Sequence, residues 1–238
     1  MKKHILQAHR ILLRIESQNA YSNMAMYDGD VSDMATLLVY GVLESSIRID
    51  YILNSLVSKK PQRAINVLLK IGVYAIENLV DVPKFAIVSE CVESAKALGK
   101  SGAGGFVNAV LKKVSGGDYS LPKEIDGDYL SVTYSKPQWF INKLTNQYGY
   151  DTMLEIISAK SERLEHIRVN SRLTDMQSIT DELKACGESC RISDVGGIVA
   201  RATEAVKKMF NRGLVTFQSP SSMLAVQALD LNEASDML

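Results

Sequence analysis

Three cysteines, Cys91, Cys186 and Cys190, and three histidines, His4, His9 and His166, are the side chains best suited to nucleophilic or metal chemistry in this sequence. Cys186 and Cys190 are separated by three residues, and a metal pair or a nucleophile with its base would be the chemistry to look for there. A zinc site needs four nitrogen or sulfur ligands, and no second Cys or His pair accompanies these two thiols. A cysteine nucleophile needs a base at hydrogen-bond distance, and nothing in the sequence supplies one. No paired carboxylates, Ser-His-Asp set or H-E-x-x-H motif occurs either. We therefore assign no catalytic, cofactor-binding or metal-binding residue to these 238 positions.

Phosphate contact is the other chemistry on offer. Lys3, Arg10 and Arg14 recur on one side of the first predicted helix, with His9 adjacent, and Lys112 and Lys113 stand on another helix. Further along, Arg168, Asn170 and Arg172 alternate on and just beyond a predicted strand, so that two guanidinium groups and an amide face one way. Lys207 and Lys208 complete the candidate RNA-contacting set. The ordinary explanation of such charges is a solvated surface, with Arg168 and Arg172 paired locally to Glu165 or Asp175. Formal net charge is zero and the isoelectric point is about 6.8. That lies well below the values above about 9 expected of a dedicated nucleic-acid module, so any RNA contact must come from a local stripe. The residues up to Asp118 carry 14 basic and 11 acidic groups, against 13 and 16 thereafter.

The run SGAGGFVNAVLKKV, Ser101 to Val114, raises phosphate binding in a second form, since a glycine turn ahead of a helix can offer free N–H groups to an anion. It lacks the G-K-[ST] of a P-loop and follows no strand. It reads as a structural hinge between helices that allows close packing, with Asn108 as a buried, hydrogen-bonded interruption of the apolar run.

The elements that must position these groups come in two regions. Ile5, Ala8, Leu12 and Ile15 share one face of a first helix. Residues 33–57 read as helical with a break near Asp50, capped by Ser32 or Asp33. Pro61 suits the first turn of a helix running to Leu79, which is apolar on nearly all sides and belongs at the centre of a bundle, with Ile65, Leu68, Leu69 and Ile76 in its core. Lys84 to Leu98 forms the next helix, with Cys91 on its core face and Gly99 as its stop. Residues 115–128, rich in Gly, Asp and Ser, read as a linker, followed by helices over about 136–148 and 151–161. The pattern then changes. HIRVN (166–170), CRIS (190–193), GIVARA (197–202) and VTFQ (215–218) are short strands, with helices over Met176 to Cys186 and Ser221 to Leu229.

The expected fold is thus mainly α: a helical bundle over 1–116, a linker and helical connector over 117–162, a small α/β module over 163–213, and the start of a further domain over 214–238. The odd number of cysteines fits a reducing compartment, and cytoplasm is the default. No stretch approaches the ~20 apolar residues of a membrane-spanning helix, and no signal peptide is evident. Residues 232–238 end without a capping signal, as if cut in mid-fold.

The stretch VPKFAIVSECVESAKALGKSGAGGFVNAVLKKV (82–114) closely resembles the NusB-like helical domain, and the resemblance extends back through QRAINVLLKIGVYAI and LLVYGVLESSIRIDYIL to the first helix. Downstream, YSKPQWFINKLTNQYG, IRVNSRLTD and GLVTFQSPSSMLAVQAL resemble the segments that follow such domains in ribosomal RNA cytosine-C5 methyltransferases of the RsmB (Sun) type. The resemblance implies that a Rossmann-like, S-adenosylmethionine-binding domain begins near Leu214 and continues past residue 238. Its glycine-rich loop and its two catalytic cysteines would lie there, one cysteine adding to C6 of cytosine and the other assisting release. S-adenosylmethionine is then the cofactor of the intact protein, with none expected in this chain, which is predicted inactive by itself. The implied partners are 16S small-subunit ribosomal RNA and, within the same polypeptide, the missing methyltransferase domain, with neither metal nor membrane. The rival reading is a NusB-like transcription antitermination or adaptor protein without enzymatic activity.

Overall fold

The computed structural model describes residues 1–18, 21–22, 25, 31–159 and 164–228. The chain forms two compact units, Met1–Ala159 and Lys160–Leu238. The expectations for residue 229 and for 232–238 lie outside the described residues.

The first unit is all-helical, with α1 (Lys2–Gln18), α2 (Asp33–Glu44), α3 (Ser46–Leu56), α4 (Arg63–Asn78), α5 (Lys84–Ala97) and α6 (Gly104–Gly116). α4 is the axis of the bundle and packs against α1, α2, α3, α5 and α6. Its sequence RAINVLLKIGVYAIEN explains this placement, since only a helix that is apolar on most sides loses nothing by being surrounded. Ile65, Leu68, Leu69 and Ile76 are all buried in one continuous core. Gly72 lets α6 come close, because a Cβ there would sit 2.7 Å from Leu111 Cδ1 and 3.3 Å from Cys91 Sγ.

Ser32 caps α2. Its Oγ accepts from the Ala35 N–H and donates to Gln7 Oε1, so the 2.7 Å contact with His4 must be donated by His4 Nδ1. The helical break falls at Ser45, not near Asp50. The reason is tertiary: the first free N–H groups of α3, those of Ile47 and Arg48, point at Ser135 Oγ at 3.2 and 3.4 Å. Ser135 follows α7 (Tyr129–Tyr134), a short helix that the sequence pattern does not reveal. α8 (Gln138–Tyr148) and α9 (Tyr150–Ser158) come next, with a small core of their own around Ile141, Met153 and Ile157.

The glycine turn forms a 3-10 turn over Ser101–Ala103 and then enters α6. None of Gly102, Gly104 and Gly105 has a positive φ. A Cβ would meet nothing at Gly102 or Gly105 and only ordinary contact with Val92 at Gly104. Close packing therefore does not require these glycines, contrary to expectation. Asn108 is half-buried rather than buried.

The second unit contains β1 (Leu164–Val169), α10 (Met176–Ala185), β2 (Cys190–Ile192), β3 (Ile198–Arg201), α11 (Glu204–Asn211), β4 (Val215–Phe217) and α12 (Pro220–Gln227). The sheet order is β2-β3-β1-β4, every neighbouring pair antiparallel. This β-α-β-β-α-β chain order with interleaved strands is the ferredoxin-like arrangement. Ile167, Ile198 and Val215 point to one face, where α10 and α11 supply Ile179, Leu183, Val206 and Met209 to a single core. β4 thus pairs with β1 as part of this sheet.

Candidate nucleic-acid interface

Alternation along the strands decides what the other face of this sheet carries. With Ile167 and its partners Ile198 and Phe217 on the core side, the opposite side is built from successive rows. Arg201 pairs with Leu164 in one row. Arg191, Val199 and His166 form the next, and Arg168 pairs with Thr216 beyond them. Arg168, Arg191 and Arg201 are all exposed and make no ion pair with any described residue. No Asp or Glu occupies a strand position on this face. The face is therefore locally cationic in a chain of zero net charge.

Of the residues singled out from the sequence, Arg168 lies on this face. Asn170 ends β1 and is held by backbone: its N–H donates to the Leu214 carbonyl, its Nδ2 to the Gly213 carbonyl, and its Oδ1 accepts from the Arg172 N–H. Arg172 is exposed in the turn that follows. The local partners considered for Arg168 and Arg172 are otherwise placed. Glu165 pairs with Ala200 on the core-side register, and Asp175 caps α10 by accepting from the Ser178 N–H and hydroxyl. Those two bonds hold the Asp175 carboxyl below the usual carboxylate range, the backbone donor first. Lys207 and Lys208 are exposed on α11, the helical layer on the far side of the sheet, so they belong to a different surface from Arg168. Arg191 and Arg201 are the residues sequence reasoning missed. Both lie in segments that read as strands, but only the sheet register shows them facing the same way as Arg168.

In the helical unit, Lys3 and Arg10 are exposed along α1, while Arg14 is half-buried and already engaged by a neighbour. Leu6, Leu13 and Leu98 line a groove of about 720 Å³ together with Lys2, Lys3 and Arg10. Lys112 and Lys113 are exposed on α6, and α5 packs against both α1 and α6. His9 is buried under this stripe with Nε2 2.8 Å from the Ala64 carbonyl, so Nε2 carries the hydrogen. Burial lowers its pKa below the ordinary histidine value, although the bond to Ala64 works the other way. His9 is therefore a neutral structural group rather than a phosphate contact.

Burial, followed by the nearby Glu90 charge, pushes the Cys91 thiol up to about 12. Cys190 points its Sγ at the Thr180 carbonyl, and Cys186 is exposed. Among the described residues no group of His, Cys, Asp or Glu is placed to hold a metal ion. No described helix is long and apolar enough to cross a membrane. A methyl-donor site of the Rossmann kind needs a glycine-rich turn leaving the carboxyl end of a strand. The glycine run 102–105 follows α5 in a unit built of helices, so that run does not fit the cofactor.

The NusB family model matches residues 5–116. The chain is 33% identical to the transcription antitermination protein NusB of Ruminiclostridium cellulolyticum over 129 residues, covering 49% of this chain and 88% of that protein. The chain belongs to the NusB family. The α1–α6 bundle is its NusB-like all-α part, and the resemblance read from residues 82–114 is borne out. A 240-residue alignment, covering 92% of the chain, is 29% identical to the probable ribosomal RNA small subunit methyltransferase B of Bacillus subtilis. The chain spans about half of that relative, 53% of its length. The crystal structure of PH0851 shares the fold, with a TM-score of 0.66 at 18% identity over 97% of this chain and 56% of that one. The mainly α fold with a small α/β unit is thus as expected from the sequence.

Proposed function

We propose that this NusB-family chain is the RNA-positioning N-terminal region of an S-adenosylmethionine-dependent ribosomal RNA methyltransferase that modifies cytosine C5 in the 16S small-subunit RNA. The observation that carries this reading is the extent of the alignment. Similarity to the Bacillus subtilis protein runs through both compact units, whereas the NusB protein of Ruminiclostridium cellulolyticum accounts for 49% of the chain. Domain limits of 1–116 and 117–162, and action in the cytoplasm, belong to the same proposal; the expected limit between 163–213 and 214–238 does not, because β4 (Val215–Phe217) pairs with β1 inside the second unit's sheet.

In this reading the chain's own residues bind and orient RNA, and bond-making belongs to a catalytic domain outside these 238 residues. Lys3, Arg10, Arg14, Lys112 and Lys113 are the proposed contacts of the helical part, and Arg168, Asn170 and Arg172 those of the second unit. Lys207 and Lys208 would serve a separate surface. The chemistry supporting the assignment is general: guanidinium and ammonium groups neutralise phosphates and release counterions.

The test is a methylation assay with labelled S-adenosylmethionine and small-subunit RNA. The full-length protein should incorporate label at C5 of cytosine, while the 238 residues alone should bind the RNA and incorporate none. Label transfer by the 238 residues alone, or their failure to bind RNA at all, overturns the proposal.

A further inference from the structure

We propose that the hollow between Arg191 and Arg201 on the open face of the β2-β3-β1-β4 sheet is a subsite for one nucleotide of single-stranded RNA; this rests on the RNA-binding reading above. Arg191 lies opposite Val199 in the β2–β3 pair, and Arg201 is two residues further along β3. The two arginines are therefore diagonal neighbours across adjacent strands, with Cα atoms about 7–8 Å apart. They bracket a hollow of about 490 Å³ that Leu164 and Val199 also line. That volume falls within the range of about 300–1,000 Å³ typical of small-ligand sites.

Three properties of the hollow select the ligand. Both guanidinium groups are exposed and unpaired among the described residues, so their five-donor forks are available to phosphate oxygens without breaking any existing bond. Between them lie the Leu164 and Val199 side chains, with Ser189 and Glu188 also on the wall, and the aliphatic pair, which gives nothing to a bare anion, gives a base a surface to lie against. Glu188 is the one acidic side chain on the wall. Two cations against one anion leave the hollow net positive, and the carboxylate can accept from a base amino group. A duplex presents mainly its phosphates to such a surface, whereas an unpaired strand can place phosphate on the arginines and base on Val199 and Leu164 together. The face has no Phe, Tyr or Trp at its strand positions and His166 as its one ring there, so guanidinium stacking and aliphatic contact take the place of the larger aromatic platforms common in single-strand binders.

The opposite end of the sheet is organised differently. Gln227 of α12 donates to the Val195 carbonyl, and Met223 lies against Gly196, so α12 reaches back to the turn between β2 and β3. Gly197 in that turn has φ +82, and a Cβ there would lie 2.5 Å from the Ile167 carbonyl oxygen. The turn is thus fixed against β1, which sets the register that aligns Arg191 with Arg201.

The experiment is fluorescence anisotropy with the 238-residue chain and a labelled single-stranded decauridylate, titrated across a salt series. The double variant Arg191→Ala/Arg201→Ala should weaken binding about tenfold or more. It should also flatten the slope of log K against log salt by about 1.4, at roughly 0.7 per phosphate contact on a single strand. The double variant Arg191→Lys/Arg201→Lys keeps the charge and should retain most of the slope. Thermal melts of the variants serve as the folding control, since both side chains are exposed. Inorganic phosphate at matched ionic strength should displace little of the bound oligomer. If wild type binds and the alanine variant matches it in affinity and slope, the subsite is refuted while the general RNA-binding reading stands. Full displacement by inorganic phosphate would likewise refute a nucleotide site in favour of a simple anion site. If wild type binds no RNA, it is the functional proposal itself that fails.

Discussion

The Arg48 guanidinium holds the Glu77 carboxylate with two donors at once, Nε to Oε2 at 3.1 Å and Nη2 to Oε1 at 2.9 Å. Tyr119, beyond the end of α6, adds its hydroxyl to Glu77 Oε1 at 2.9 Å. One carboxylate thus ties α3, α4 and the segment leaving the bundle. These bonds raise the Arg48 pKa, the Glu77 hydrogen bond contributing most, while burial comes first in raising that of Tyr119.

Replacing Glu77 by Gln removes the charge and leaves Arg48 partly buried without its partner. Charge-assisted bonds contribute about 1.5–3 kcal/mol, and the partial exposure of Arg48 places the expected loss toward the lower end. Tyr119→Phe deletes a single bond and should cost about 0.5–1.5 kcal/mol. Urea unfolding of the two variants and their combination checks this, and the losses should be less than additive because both act on the same carboxylate.

Ser135 has φ 51 and ψ 44, a left-handed conformation rare outside glycine, and its hydroxyl caps α3. Loss of a cap costs about 0.5–2 kcal/mol. Ser135→Ala should therefore destabilise the helical unit by that amount. Ser135→Gly should cost less, because glycine relieves the backbone while losing the same cap. Thermal denaturation of the two variants separates conformational relief from capping, and an equal loss in both would assign the whole effect to the cap.

His9 predicts a pH dependence. Its folded-state pKa is lowered, so below the unfolded value of about 6.5 the unfolded chain binds more protons than the folded one. Stability should be at its plateau, as far as this group is concerned, above about pH 6.5. It should fall as the pH drops below that value and stop falling once the folded pKa is passed, with a slope of at most about 1.4 kcal/mol per pH unit. His9→Gln should abolish that component, as read from urea midpoints between pH 7.5 and 5.

Much of the helical unit is readable from residue pattern because its determinants are local. α4 announces its central place through apolar residues on nearly every side, and α1 through the spacing of Ile5, Ala8 and Leu12. The break at Ser45 is not readable, since the hydroxyl that stabilises the new helix start comes from Ser135, far along the chain. α11, EAVKKMFN, offers only Val206 and Met209 as periodic buried positions, too few to stand out. The candidate interface divides in the same way. Arg168 can be found from alternation within one strand, but aligning it with Arg191 and Arg201 needs the pairing of three strands separated in sequence.

Among the described residues the sheet is bounded by β2 and β4, each three residues long. So short a margin offers an incoming strand almost no ladder to extend, and Arg191 on β2 adds charge repulsion between two like copies. The side chain proposed to meet a phosphate thus also sets like charge against like charge wherever two copies approach rim to rim, so that the open margin is poorly suited to self-association.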